Sequence, residues 1–279
     1  MLGSDGLHRT IKSLKIESPL MPFDPQSAAR FIDQAHRQRS AYANLPPDIA
    51  PRSLDDAYAA QEALMRLWEA DRGAVAGLKI ATTTRIMQEL MGIDHPCGGM
   101  IFARRIHASG TAIPRKDFVN LVIECELAVR LGRDMPGGDE PYDRSSARAA
   151  VAAVMPAFEL IEDRKAVYKE TTALSLIADN AWNGGIVLGA EHTPARDFDL
   201  NELGGSLSID GVSSKSGKTD DPMGALAWVA NLAASRRRPL KAGMVVITGS
   251  VIPTLPIAPG ETFAFTLGPF GTVSMTTAE

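Results

Sequence analysis

The sequence predicts an α+β protein, with a helical N-terminal region followed by a mixed β-roll, barrel-like core. Three observations predict it. About the first quarter of the 279 residues reads as helical. The remainder is dominated by short apolar runs cut by Pro and Gly turns, the pattern of strands. Long helices rarely alternate with these strands, which disfavours a parallel, Rossmann-like sheet. The expected division is a helical region over residues 1–75 and a catalytic mixed β domain over 76–279.

Residues 1–23 read as a loosely ordered arm. From Pro25, the residues Ala28, Phe31, Ile32 and Ala35 recur at helical spacing. After the Pro-rich linker Asn44–Pro51, Ser53 is placed to cap a second helix, with Asp56 as a variant capping box. Ala57, Ala60, Leu64, Leu67 and Trp68 share its buried face, and Gly73 stops it. Gly77–Ala81 reads as a short strand, and a short helix over Ile86–Met91 ends at Gly92. Leu121–Leu131 alternates apolar and polar residues, the period of a strand with one buried face. An Ala-rich helix is expected near Ser145–Met155, closed by Pro156, with strands over Ala157–Ile161 and Ile186–Leu188. Asp210-Gly211 between Ser206–Ile209 and Val212 onward predicts a hairpin with a type I′ turn. Asp221 caps a helix with Pro222 at its first position. Met244–Thr248, Thr262–Leu267 and Thr272–Thr276 complete a β-rich tail.

Composition excludes several roles. A net charge of −4 argues against nucleic acid and anionic membranes as partners. No apolar run reaches the length of a membrane-spanning helix, and the N-terminus has no apolar signal region. Two cysteines, Cys97 and Cys125, are too few for a disulfide scaffold and read as thiols in a reducing cytoplasm. The five histidines have no ligand spacing, and no Gly-x-Ser-x-Gly elbow is present. Ser213–Thr219 imitates a phosphate-binding loop, but Gly211 stands one place too early and Asp220-Asp221 follow directly. That segment reads as a polar hairpin tip leading to a capped helix. Arg236-Arg237-Arg238 reads as a solvated helix end suited to the macrodipole.

Glu124 and Glu126 carry the chemistry. Two residues apart on a strand, they face the same side with Cα atoms roughly 6.6 Å apart. Carboxylates held side by side repel, and a hard divalent cation removes the penalty. Two solubilising glutamates on an exposed face would give the same spacing. Glu159, on the strand expected after Pro156, would complete an oxygen cage for Mg²⁺ or Mn²⁺, with Glu162 and Asp163 as competing candidates. Lys79, between Leu78 and Ile80, reads either as a snorkelling lysine or as a partly buried ammonium that binds a carboxylate.

In order along the chain, Gly77-Leu78-Lys79-Ile80, Glu124-x-Glu126, Pro156–Arg164, Ala178-Asp179-Asn180-Ala181, and Thr248-Gly249-Ser250 with Pro259-Gly260-Glu261 resemble the fumarylacetoacetate hydrolase superfamily. The similarity is greatest to its hydratase/decarboxylase branch, typified by 2-keto-4-pentenoate hydratases, and runs from about Ala28 to the C-terminus. The resemblance implies the C-terminal β fold of that family and a Mg²⁺ or Mn²⁺ site on Glu124, Glu126 and Glu159. It matches Lys79 to the active-site lysine, and Asp179, Asn180 and Ser250 to substrate-binding positions. Where such hydratases carry an acid that pairs with the lysine, the best match here is Arg104, which cannot accept a proton; the expectation is either that it binds a second substrate carboxylate of a longer diacid or that classical hydratase activity is absent. The activity implied is hydration of a 2-hydroxy-dienoate or 2-oxo-enoate in the catabolism of aromatic-derived acids. The alternatives are a 2-oxo acid decarboxylase, a C–C bond hydrolase, or a non-catalytic partner subunit of a related complex. A cytoplasmic homo-oligomer acting on a small-molecule 2-oxo acid is the expectation.

Overall fold

The computed structural model describes residues 22–195 and 198–279, so most of the arm expected over 1–23 lies outside the described residues. Helix α1 (Pro25–Arg37) starts where Asp24 accepts from the Gln26 and Ser27 amides, with Pro25 in the first turn. Helix α2 (Leu54–Arg72) is capped by Ser53 and ends at Gly73, whose φ of 80° a side chain would strain. The Asp56 carboxylate of the capping box reaches the Arg52 amide, one residue before the cap. Strand β1 (Val75–Ala81) and helix α3 (Arg85–Met91) follow, the latter closed by left-handed Gly92. Next come β2 (Cys97–Phe102), β3 (Ile106–Ala108), β4 (Thr111–Pro114) and β5 (Leu121–Leu131).

The Ala-rich helix expected near Ser145–Met155 is a miss. Helix α4 (Arg144–Arg148) is short, and β6 (Val151–Glu162) runs straight through Pro156. A strand residue's N–H and C=O point toward the same neighbour. The Pro156 carbonyl accepts from Gly189, past the end of strand β7 (Asn183–Leu188), so no ladder carbonyl misses the absent N–H. Helix α5 (Ala173–Ala178) precedes β7. The hairpin β8 (Gly204–Ile209) and β9 (Val212–Lys218) turns at Asp210 and Gly211, both at positive φ. Helix α6 (Pro222–Ser235), capped by Asp221, then leads to β10 (Val245–Pro256), β11 (Thr262–Leu267) and β12 (Thr272–Ala278).

Two mixed sheets result. One has the order β2-β1-β10-β5-β6-β7-β3, the other β4-β12-β11-β8-β9. The larger sheet keeps two edges, β2 and β3, so the barrel-like expectation corrects to a rolled but open sheet. Its outer face, including Ile123, Cys125, Leu127 and Phe158, is buried against α6 and the smaller sheet. Phe158 and Phe265 meet across that layer with ring centroids 6.2 Å apart. Helices α1 and α2 pack on β2 through Trp68 and Phe102. The alternation of β5 therefore has two buried faces rather than one, with Glu124 and Glu126 turned to the inside of the roll. The described residues contain no helix long and apolar enough to cross a membrane.

Candidate metal centre

Strand register assembles the acidic cluster. β5 and β6 pair antiparallel, with Glu124 directly opposite Glu159. Glu126 lies two residues along on the same face and opposite Ser250 of β10. Like charges directly opposed across a ladder are destabilising. Yet one oxygen from each of Glu124, Glu126 and Glu159 lies within 4.8 Å of the others. Glu126 and Glu159 are fully buried, and Glu124 is partly so.

Each carboxylate commits one oxygen to a protein donor. Thr254 Oγ1 donates to Glu124 Oε1. The Gly249 amide donates to Glu126 Oε2 at 2.6 Å, and Asn183 Nδ2 donates to Glu159 Oε1 at 2.9 Å. The other oxygens of the two buried residues, Glu126 Oε1 and Glu159 Oε2, have no hydrogen-bond partner among the described residues. A buried carboxylate oxygen without a donor is costly. Burial, then Glu159 and Glu124, hold the Glu126 pKa well above the ordinary carboxylate range. Three oriented carboxylates with unsatisfied oxygens are a hard donor set, so the residues fit a divalent cation such as Mg²⁺ or Mn²⁺.

The Gly249 donor depends on broken pairing. The β10–β5 register shifts between Ile247 and Ser250 and again beyond it, and Gly249 takes φ 113°. These bulges turn its N–H out of the ladder and onto Glu126.

Lys79 lies inside the roll with the cluster. Its Nζ is 2.7 Å from Glu159 Oε1 and 3.1 Å from the Ala181 carbonyl, and the residue is 3% exposed, so the snorkelling reading fails. Burial pulls its pKa down, but Glu159 and Glu124 outweigh that and raise it above the ordinary lysine value. The Ala181 carbonyl is presented by three consecutive non-glycine residues in the left-handed region, Asn180, Ala181 and Trp182, with φ of 53°, 45° and 57°. The Asn180 side chain clamps that turn, accepting from the Met100 amide at 2.7 Å and donating to the Met100 carbonyl at 2.9 Å.

The other expected site residues fall in different places. The Asp179 carboxylate faces away from the cluster into a buried ion pair with Arg164, and lies 2.7 Å from His36 Nε2. Ser250 Oγ donates to the Ile252 carbonyl, and Ser250 borders a cleft of about 600 Å³ with Thr83, Thr248 and Gly249. Arg104 is a correction. Its guanidinium donates to the Ala70 and Asp71 carbonyls, capping the exposed C-terminus of α2, where cations suit the macrodipole. The β2 residues on the face of Lys79 are Ile101, Gly99, paired with it, and Cys97, whose sulfur accepts from Thr82 Oγ1 at 3.5 Å, so none is an acid. Glu162 and Asp163 also stand apart: Glu162 accepts the Val119 and Asn120 amides, and Asp163 is held by Asn120, Lys165 and Tyr168.

Apolar residues bound the cluster on both sides. Ala128, Met155, Ile186, Val245 and Ile247 plug one end of the roll. Cys97, Val122, Ile161 and Trp182 cluster at the other. Sequence reasoning missed Asn183, Thr254, and His36 and Arg164 as the two partners of Asp179. Asn183 ends the Asp179–Asn183 stretch beside a motif already singled out. Thr254 and His36 had no local signal.

Comparison with known proteins agrees with this geometry. The family model described as fumarylacetoacetate (FAA) hydrolase C-terminal matches residues 80–277. The 2-keto-4-pentenoate hydratase 2 of Dechloromonas aromatica (strain RCB) is 29% identical over 90% of this chain and 96% of its own length. The TodF product hydratase of Pseudomonas putida F1 is 31% identical over 89% and 93%. The 2-oxo-hept-4-ene-1,7-dioate hydratase of Escherichia coli is 29% identical over 88% and 95%. Among solved structures, 4-oxalocrotonate decarboxylase from Pseudomonas putida G7, complexed with magnesium and adipate, superposes with a TM-score of 0.82 at 24% identity, covering 91% of this chain and 97% of its own. That likeness concerns the fold.

Proposed function

The chain belongs to the fumarylacetoacetate hydrolase family, and from that premise we propose that it is a divalent-metal-dependent hydro-lyase adding water to a 2-hydroxy-dienoate or 2-oxo-enoate. The observation that carries this reading is the trio Glu124, Glu126 and Glu159, each held by a protein donor, with the two buried residues keeping an unsatisfied oxygen beside Lys79. A cation held there supplies Lewis-acid stabilisation of the negative charge that develops on a 2-oxo acid as a proton enters or leaves beside the carbonyl.

The chain's own residues divide the remaining work. Thr254, Gly249 and Asn183 fix the orientation of the three carboxylates. Lys79 Nζ, between Glu159 and the Ala181 carbonyl, orients the substrate carboxylate or moves a proton at Nζ. Val122, Ile161 and Trp182 keep bulk water from the reacting carbons. Water adds at the vinylogous carbon, its hydroxyl staying there while a proton is placed on the neighbouring carbon. Ser250 borders the cleft that reaches Gly249, a route for the substrate tail. The Asn180 and Asp179 side chains support the Lys79 turn rather than touching substrate.

The test is to incubate metal-loaded protein with a panel of 2-hydroxy-dienoates and 2-oxo acids, following dienol absorbance and released CO₂. We expect absorbance loss without CO₂. Release of CO₂ favours the decarboxylase alternative, and no turnover of any member favours the partner-subunit alternative.

A further inference from the structure

A cleft of about 210 Å³ opens between the helical layer and the start of β7, where Asn183 and Gly184 border it. Arg72 and Arg105 both line it. Neither has a hydrogen bond or ion pair with any described residue, although Arg72 Cζ stacks 3.4 Å from the Trp68 ring centroid. The two guanidiniums are close enough that Arg105, after burial, is the main influence pulling the Arg72 pKa down to about 9.

The acids around them are already engaged. Asp33 is held by Arg37 and Trp68 Nε1, and Asp71 by Arg37. Glu162 accepts backbone amides, and Asp179 is paired with Arg164 and His36. Only Asp117, exposed at the rim, is uncommitted among the lining carboxylates. On the cationic side, Arg39 donates to the Phe118 carbonyl. Arg164 lines the same cleft at 2% exposure, and its Nε has no partner among the described residues. Three arginines that line one small space thus keep donors without a partner among the described residues.

We propose that this cleft is a second ligand site, in which Arg72 and Arg105 bind a small oxyanion, either phosphate or a dicarboxylate. Guanidinium forks match oxyanion geometry, and the Trp68 ring fixes one of them in place. Arg72 comes from α2 and Arg105 from the segment after β2, neither of which supplies a carboxylate of the metal cage, so the proposal stands whether or not the hydratase reading holds.

The test uses the full metal-loaded chain at constant ionic strength, titrated separately with inorganic phosphate, succinate and chloride. Thermal unfolding and tryptophan emission are followed. We expect phosphate or succinate to give a saturable rise in melting temperature and a change in emission, while chloride gives neither. Arg105→Gln and Arg72→Met should each weaken that response by about tenfold or more, the loss of one charged hydrogen-bonding partner. The tighter of the two ligands identifies the source. An equal response to chloride, or unchanged affinity in both variants, overturns the proposal. So does a saturable response that survives Arg105→Gln but is lost in Glu126→Gln, which would place the anion at the metal centre.

Discussion

Lys79 on β1 and Glu159 on β6 touch at 2.7 Å, although β10 and β5 lie between their strands. Three inter-strand steps span about 14 Å on a flat sheet, too far for a lysine and a glutamate to meet. The contact exists because the sheet rolls, and the roll puts the ammonium over the acidic cluster. Lys79→Met should therefore leave the cage in place and remove the proton-handling group. We expect kcat to fall by about 10²–10⁴. Mn²⁺ affinity should stay within a few-fold of wild type, measured by steady-state kinetics beside a metal titration.

Gly99 is opposite Lys79 on β2, and a Cβ there would sit 2.7 Å from the Asn180 carbonyl oxygen and 3.0 Å from Lys79 Cγ. Gly99→Ala should destabilise the fold by about 1–3 kcal/mol, the usual range for overpacking. It should also lower activity by displacing Lys79 or the turn that holds it. Denaturant unfolding and kinetics on the same preparation check both.

The Asp179 carboxylate is buried in an ion pair with Arg164. Burial raises its pKa, but His36 and Arg164 outweigh this and hold it below the ordinary aspartate value of 3.8. Asp179→Asn leaves Arg164 without its counter-charge and should cost about 3–5 kcal/mol. The pH dependence has a definite sign. The folded state binds fewer protons than the unfolded state below pH 3.8, so the pair's contribution is complete above that pH. It is lost as pH falls through the lowered folded value. The stability gap between wild type and Asp179→Asn should thus be constant at neutral pH and shrink only below about pH 4, measured by urea unfolding across pH.

Much of this was legible in the chain. Capping residues marked α1, α2 and α6, Asp210-Gly211 marked the hairpin, and the alternation of β5 placed Glu124 and Glu126 on one face. Three things were hidden. Pro156 signalled a helix stop because its neighbours are Ala-rich, and only the end of β7 explains why a central strand tolerates it. Arg104 matched an acid by sequence position, but the chain there has left β2, so the side chain turns to α2 instead of Lys79. Roles set by pairing between distant strands, such as Thr254 on Glu124 and Asn183 on Glu159, leave no local pattern.

Asn183 and Thr254 hold the cage without the geometry of metal ligands. Asn183→Ala and Thr254→Val should each weaken Mn²⁺ binding by about 10–100-fold, the usual cost of losing a partner that orients a ligand. Removing metal with a chelator should abolish turnover and lower the melting temperature, and Mg²⁺ or Mn²⁺ should restore both, as followed by differential scanning calorimetry.

The most direct measurement is a calorimetric titration of Mn²⁺ into the metal-stripped wild type and Glu126→Gln. We expect one site per chain in wild type, and binding at least about a hundredfold weaker in the variant, because a neutral amide replaces a buried carboxylate ligand. Equal affinity in the two proteins, or no binding to wild type, would contradict the assignment of Glu124, Glu126 and Glu159 as the metal cage.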